Sequence, residues 1–371
     1  AAELSRTIEE LNALLSDEAA LRSLVSDELG AAAGKFGSPR RTVLLESSGI
    51  ASSSATMSLE IADDPCWVVL STTGLIARTA DQSGFPQVTT RGLHDAIASV
   101  VPTSARGQIG LIDSEAVAHR INVIDLPTLP PTAESPRLGG GISIGELVGH
   151  GVQAVGLMSL EESAKTVTLG TRAGIVKRVR PETVNKDSWH LMRLNDADAV
   201  VGAVQLTSDS DELVFVADDA QLLRFSAELV RPQGREGQGI AGIKLAAGAS
   251  VIAFGSCSDV DTAYVATVAG SGQTLTVDLG GSAKVSPLGI YPRKGRATGG
   301  VRCHRFLSGE DSLASAWVGD GLPIAASDSG SPVDLPAAID KRDGSGVPMN
   351  AGVHGIASSQ VTHNRARSMS E

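Results

Sequence analysis

The chain is poor in aromatic residues, in cysteine and in long apolar runs, and each shortage excludes something. Aromatics make up 3% of the 371 residues. No stretch of about 18 consecutive apolar residues occurs, so a membrane-spanning helix and a membrane partner are not expected. The three cysteines, Cys66, Cys257 and Cys303, lie far apart and show no Cys-x-x-Cys spacing. That pattern fits a reducing compartment rather than a disulfide framework, and the cytoplasm is the expected location. Positive charge is also short, with 31 Lys and Arg against 42 Asp and Glu and a net charge of −11. Taken as a whole, that balance argues against a polyanionic partner. Catalytic motifs are missing too. The sequence holds no His-Glu-x-x-His, no Gly-x-Ser-x-Gly and no Walker A loop, and Gly234–Gly239 lacks the strand-to-helix setting of a dinucleotide site. The adjacent pair Cys303-His304 is too small a set to hold a metal.

Glycine is plentiful, at 41 residues, and its placement carries the fold. The stretch from Thr166 to Val179 reads as apolar strand, turn at Ala173-Gly174, and apolar strand again. The same phrase recurs from Val68 to Arg78, Ile109 to Arg120 and Leu213 to Arg224, with weaker copies from Tyr264 to Thr276 and Pro323 to Asp334. The turn markers fall at 74, 116, 174, 220, 272 and 330, which are 42 to 58 residues apart. Such periods predict a propeller or a related array of β blades. Four copies place Arg four residues after the marker, at Arg78, Arg120, Arg178 and Arg224, whereas the last two have Thr276 and Asp334 there.

Ahead of the array, Leu4, Ile8, Leu11 and Leu15 form an apolar stripe at helical spacing. Ser16 is a candidate N-cap for a second helix carrying Leu21, Leu24, Val25 and Leu29, so residues 1–46 are expected to hold a helical hairpin. The chain opens in mid-helix without an initiating Met, as a piece of something longer would. The Ser-rich stretch 47–65 reads as a linker, 66–336 as the six-repeat array and 337–371 as a disordered tail.

Charge is unevenly spread. Residues 1–64 hold 5 basic against 11 acidic side chains, while Lys165–Arg180 and Pro287–Phe306 each hold five basic residues and no acid. Such clusters are either solvated surface or parts of a basic rim. Two loops repeat a further phrase, Arg231-Pro-Gln-Gly-Arg235 running on to Lys244, and Arg293-Lys294-Gly-Arg296 running on to Arg302. Glycines let backbone N–H groups approach a phosphate, and Arg forks onto its oxygens. In isolation the same glycines need only supply turns.

Hairpins ending Val-Lys-Arg, followed by Arg-x-x-Gly-Arg-x-x-x-Gly, resemble the C-terminal DNA-wrapping domain of type IIA topoisomerase A subunits, those of bacterial gyrase and topoisomerase IV. Glu28-Leu29, Ala33-Gly34-Lys35-Phe36-Gly37 and Pro39-Arg40-Arg41-Thr42 are similar to the helix leaving that family's coiled-coil gate. The resemblance implies a mainly β fold, a six-bladed β-pinwheel preceded by the end of the gate. It implies sequence-independent binding and bending of double-stranded DNA around a basic rim, through phosphates rather than bases. The DNA-contacting residues it implies are Arg78, Arg120, Arg172, Lys177, Arg178, Arg180, Arg224, Arg231, Arg235, Lys244, Arg293, Lys294, Arg296, Arg302 and Arg305. Strand alternation sends Lys177 and Arg178 to opposite faces, leaving one of them free to be structural.

The family cleaves DNA with a tyrosine preceded by Arg, and neither Tyr264 nor Tyr291 follows Arg. No catalytic residue, metal or cofactor is therefore expected in this chain. ATP and Mg²⁺ are expected on a B-subunit partner in an A2B2 assembly, with A subunits dimerising through a gate missing or truncated here. Gyrase A subunits carry a Gln-Arg-Arg-Gly-Gly-Lys-Gly box after the first hairpin; here Asp81-Gln-Ser-Gly-Phe85 and Thr89-Thr-Arg-Gly-Leu-His94 stand instead. That departure favours a topoisomerase IV-type role, decatenation and relaxation in chromosome segregation, within a bacterial, nucleoid-associated setting. The alternatives are a supercoiling gyrase's wrapping domain or a β-propeller scaffold that binds proteins.

Overall fold

A computed structural model describes residues 2–36, 62–83, 85, 90–130, 137–182, 184–271 and 281–360. Two compact units divide between Ser58 and Leu59. The first contains helices α1, Ala2–Ser16, and α2, Glu18–Phe36. Asp17 alone separates them, and it is the N-cap: its carboxylate accepts from the N–H groups of Ala19 and Ala20 at 2.9 and 3.3 Å. Ser16, the expected cap, instead donates back to Ala13 O at 2.9 Å. The expected packing of the two helices as a hairpin is not found. A one-residue break is too short for an antiparallel return, and Leu4, Ile8, Leu11, Leu15, Leu24, Val25 and Leu29 all stay exposed. The gate-like motif from Gly37 to Thr42 and the Ser-rich linker through Ile61 lie outside the described residues.

The second unit is a six-bladed, propeller-like array. Each blade is built around one of the repeated hairpins. Blade 1 pairs Pro65–Ser71 with Leu75–Arg78, blade 2 Gln108–Asp113 with Val117–Asn122, and blade 3 Val167–Thr171 with Ile175–Val179. Blade 4 pairs Glu212–Ala217 with Gln221–Ser226, blade 5 Ala263–Gly270 with Ser282–Pro287, and blade 6 Pro323–Ala326 with Pro332–Val333.

A further strand pairs on the inner side of each hairpin: Ile97–Ser104, Ala154–Ser159, Val200–Gln205, Val251–Cys257, Ser312–Asp320 and Gly355–Ser358. These six inner strands pack in sequence, and the last returns to the first, so the ring is closed. They surround a central channel of about 890 Å³. A Cβ on Gly156 would lie 2.3 Å from Ala203 O, and one on Gly202 would lie 2.3 Å from Phe254 O, so glycine is needed where neighbouring inner strands meet.

Outer strands are exchanged. Ile142–Ser143 follows the second hairpin in the chain yet pairs with blade 1, and Ser188–His190 follows the third yet pairs with blade 2. Ile240–Ala241, Val301–Arg302 and Val347–Pro348 do the same for blades 3, 4 and 5. After each outer strand the chain is clasped to that blade's hairpin turn. The N–H groups of Ile144, Leu191, Ile243 and Cys303 donate to the carbonyls of Gly74, Ala116, Gly174 and Ala220, at 2.8 to 3.1 Å. All four turn residues have positive φ, between 61° and 81°. The fifth clasp closes the circle, because His94 N donates to Gly330 O at 2.9 Å. The segment after the first hairpin therefore serves blade 6. Arg91 reinforces it by donating to Ala325 O and, through two nitrogens, to the buried carboxylate of Asp95.

The cores lie between blades. In Glu212–Ala217 every residue is buried, because Val214 and Val216 pack toward blade 5 while Leu213 and Phe215 pack toward blade 3. That is why these strands read as continuous apolar runs rather than strict alternation.

Two boundaries differ from the expected ones. The described return strand of the fifth hairpin is Ser282–Pro287, and the expected copy from Gly272 to Thr276 lies outside the described residues. Array structure also continues past Pro336, since Val347–Pro348 and Gly355–Ser358 complete blades 5 and 6. Their pairing supplies the order that a Gly- and Ser-rich sequence conceals, so a disordered tail from 337 is corrected at least as far as 360.

Candidate nucleic-acid interface

The cations predicted as phosphate contacts divide into a buried set and an exposed set. Lys177, in the returning strand of blade 3, is fully buried. Its Nζ donates to Leu191 O at 2.6 Å and to Arg235 O and Gly237 O at 2.9 Å each. Burial pushes this ammonium down to about 8, opposed by nearby Glu236. Three carbonyls at these distances match the three ammonium donors. Arg178 leaves the opposite face and is also buried. It donates to Thr166 Oγ1 at 2.7 Å and Ala227 O at 3.3 Å, and pairs with Asp209. Neither side chain stands on the surface. Alternation did send them apart, but both faces of a blade meet a neighbouring blade.

The related arginines Arg78, Arg120 and Arg224 are partly covered by neighbouring segments. Arg224 lies 3.7 Å from Glu212, in the first strand of its own hairpin. Arg120 donates to Lys186 O at 3.2 Å and to Gln108 Oε1 at 3.1 Å, with its guanidinium 6.0 Å from the Trp189 ring centroid. Arg78 is half-buried. Its backbone N–H and C=O bind Pro127 O and Leu129 N, the strand-to-strand bonds that fix the loop beyond. Arg172 is exposed, but it borders the central channel rather than the outer strands.

The remaining cations flank the outer strands. Arg180, Arg231, Lys244, Arg293, Lys294, Arg302 and Arg305 are exposed, and Arg235 and Arg296 are half-exposed. The loop 291–300 lies against blade 3's outer segment: Ala297 N donates to Gly242 O at 2.6 Å, Lys244 N to Thr298 O at 3.0 Å, and Arg296 to Ala241 O. Arg193 N donates in turn to Gly237 O at 3.3 Å, joining blade 2's outer segment to the blade 3 loop. The structure thus brings cations from three blades onto one continuous outer surface. Several carry an internal partner as well: Arg293 pairs with Glu212, Arg235 with Glu182 at 3.4 Å, Arg305 with Asp343 at 3.8 Å, and Lys294 donates to Gly300 O at 2.9 Å.

Residue-by-residue reading missed Lys186 and Arg193, exposed on either side of Ser188–His190. Their signal was position beside a strand only three residues long, which has no period to detect. It also missed Lys284, fully buried in the returning strand of blade 5. Its Nζ donates to Cys303 O at 2.7 Å, Arg342 O at 2.5 Å and Tyr291 Oη at 3.3 Å. Burial brings Lys284 to about 8 as well, against the opposing influence of Cys303 and Asp343. The available signal was a lone Lys in the run Ser282-Ala-Lys-Val-Ser-Pro. Tyr291, which opens the basic loop, is fully buried, and its hydroxyl meets Ser286 Oγ at 2.8 Å, so it packs rather than facing outward. Trp67 and Trp189 are buried in apolar clusters of the blades.

Residues 211–258 match the family model described as DNA gyrase C-terminal domain, beta-propeller. The DNA gyrase A protein of Mycobacterium leprae (strain TN) is 26% identical over 332 residues, covering 86% of this chain and 25% of that protein. That of Staphylococcus aureus (strain MRSA252) is 24% identical over 345 residues, 84% of this chain and 36% of the relative. The chain therefore spans between a quarter and two-fifths of the length of such relatives. In three dimensions it is similar to the C-terminal domain of a DNA topoisomerase IV, with a TM-score of 0.59 at 15% identity, covering 80% of this chain and 94% of that one. It is also similar to a DNA gyrase A C-terminal domain, with a TM-score of 0.53 at 17% identity, covering 79% and 99%. These are similarities to gyrase A proteins in sequence and to C-terminal domains of type IIA topoisomerase A subunits in fold. Gyrase and topoisomerase IV both stand among them, so the choice between the two rests on other grounds.

Proposed function

We propose that this chain binds duplex DNA without regard to sequence and bends it over the outer surface of the disc. The observation that carries this reading is the continuous run of exposed cations on the outer segments of blades 2, 3 and 4, joined by backbone hydrogen bonds between neighbouring segments. These side chains flank the short outer strands. Lys and Arg presented in this way neutralise phosphates and release counterions, which favours any sequence about equally. Bending about 30 base pairs costs on the order of several kcal/mol, so contacts spread over several blades are what such a role requires. The experiment is a titration on a duplex of about 40 base pairs at several salt concentrations, where log K should fall with log salt by roughly 0.9 per phosphate contacted. No binding at low salt would overturn the reading and favour a protein-binding scaffold.

Within this reading, the parent protein is the A component of a topoisomerase IV-like enzyme, working with an ATP-using B subunit in an A2B2 assembly. Support comes from the segment after the first hairpin, where Asp81-Gln-Ser and Arg91-Gly-Leu-His94 replace a basic seven-residue box. In the fold Arg91 and His94 of this segment bond to blade 6. The gyrase reading has its own support in the names of the curated relatives. Reconstitution of the full-length protein with its B partner decides between them: decatenation without supercoiling is expected, and ATP-driven negative supercoiling would establish the gyrase role.

A further inference from the structure

Building on that proposal, we infer that duplex DNA engages only about half of the circumference, the arc formed by blades 2, 3 and 4, and leaves the disc before it reaches blades 5 and 6. The outer segment of blade 4 carries Arg293, Lys294, Arg296, Arg302 and Arg305 and no acid. That of blade 3 sets Arg231, Arg235 and Lys244 against Glu228 and Glu236, and that of blade 2, taken from Arg180 to Arg193 and short of Asp196 and Asp198, sets Arg180, Lys186 and Arg193 against Glu182 and Asp187. Beyond this arc the excess of cations ends. In blade 5, Lys341 and Arg342 are flanked by Asp340 and Asp343. The hairpin of blade 6 carries Asp328 and Asp334 and no cation from Gly321 to Pro336. The segment that clasps blade 6 commits its one arginine, Arg91, to Asp95. Blade 1's outer segment sets Asp125, Glu134 and Glu146 against Arg137.

The boundary matters because a duplex presents one phosphate charge per about 1.7 Å of axis. Screening at physiological salt extends only about 8 Å, so each blade is felt separately by the phosphates passing over it. Over blades 2 to 4 those phosphates meet cations on segments that touch one another. Over blades 5 and 6 they meet carboxylates with no surplus of cations, and continued bending gains nothing there. The duplex is therefore bent over a short arc and departs along a tangent.

Two measurements on the full chain test this. Affinity for duplexes from about 12 to about 60 base pairs, corrected for the number of overlapping sites, should rise with length and then stop once the arc is spanned. Lys244→Glu with Arg302→Glu should weaken binding by about tenfold or more, while Lys341→Glu with Arg342→Glu should change it less than about twofold. Affinity that keeps climbing with length, or equal losses from the two pairs, would show that the whole rim is used and overturn the arc. Absence of binding by the unmodified chain at every length would instead remove the DNA-binding reading on which the arc rests.

Discussion

Lys177 and Lys284 occupy the same place in blades 3 and 5, each buried in the returning strand with its ammonium bonded to carbonyls from two different outer segments. Lys177 joins Leu191 of blade 2's segment to Arg235 and Gly237 of blade 3's loop. Lys284 joins Cys303 of blade 4's segment to Arg342 of blade 5's loop. Each is an internal cation beneath the basic surface, holding in place the loops that carry the exposed ones.

Lys177→Met is therefore expected to act on stability rather than on contact. It removes the ammonium donor from three carbonyls, of which Gly237 O keeps the Arg193 N–H, and a cost of about 2 to 4 kcal/mol follows if the others cannot turn toward water. Denaturant unfolding should show that loss, while DNA affinity at a temperature where the variant is folded should fall far less than for a surface reversal such as Arg302→Glu. An undiminished midpoint together with a large loss of affinity would return Lys177 to the phosphate-contacting set.

These two lysines also show what the sequence made legible. The turn markers at 74, 116, 174, 220 and 330 were readable because a positive-φ turn between two apolar runs has few alternative explanations, and five of those residues accept a clasp bond. The fifth repeat was placed by its marker at 272, ahead of the described return strand Ser282–Pro287, and so Lys284 was not singled out. Outer strands of two or three residues carry no period, so periodicity could not place them or show the order after Pro336, and only the resemblance to a pinwheel implied that strands pass between blades. For the site, composition identified the basic loops at 231–244 and 293–305. It did not separate Lys177 and Arg178 from them, because alternation assigns opposite faces and cannot say that both are covered.

Acid sensitivity is expected to centre on His304. Its Nδ1 lies 2.9 Å from Thr267 Oγ1 in a buried setting, and burial, with a smaller contribution from Lys284, pushes the imidazole down to about 4. The folded state thus binds this proton less readily than the unfolded chain, whose value is 6.5. Stability from this group is complete above the unfolded value and is lost as pH falls from about 6.5 toward about 4. Unfolding free energies across that range should decline by roughly 2 to 3 kcal/mol more in the unmodified protein than in His304→Gln. Parallel pH profiles for the two proteins would show that another group governs acid unfolding.

The seam between blades 6 and 1 is expected to open first. Its apolar cluster contains only Ala96, Ile324, Ala326 and Ala357, whereas the cluster between blades 4 and 5 includes Val214, Leu222, Val265, Leu288 and Tyr291. Polar groups supply what the small core lacks: Asp95 accepts from Arg91 at 2.7 and 3.0 Å and from Gly92 N at 2.8 Å. Asp95→Ala removes the acceptor of all three bonds and should cost about 2 to 4 kcal/mol locally. Amide exchange should then accelerate in Pro323–Ala326 and Gly355–Ser358 before it does in blades 3 and 4. Uniform acceleration around the ring would mean that closure is cooperative with the whole disc.

Arg302 offers the cleanest measure of a single rim contact. It ends the outer strand of blade 4, is exposed, and lies on the segment that Lys284 anchors through Cys303 O. Truncation to Ala leaves that anchor intact, because the strand is held through Gln221 and Leu222 of the hairpin rather than by the arginine side chain. If Arg302 neutralises one phosphate, the variant's plot of log K against log salt should be shallower by about 0.9, and the loss at fixed salt should be the same on unrelated duplexes. A base-reading arginine behaves differently, losing about 1 to 3 kcal/mol on one sequence while sparing others. A structural arginine differs again, lowering the unfolding midpoint and leaving the slope alone. Measuring slope, sequence dependence and melting on one variant therefore separates the three roles, and only a shallower slope with unchanged melting agrees with the exposed position of this residue.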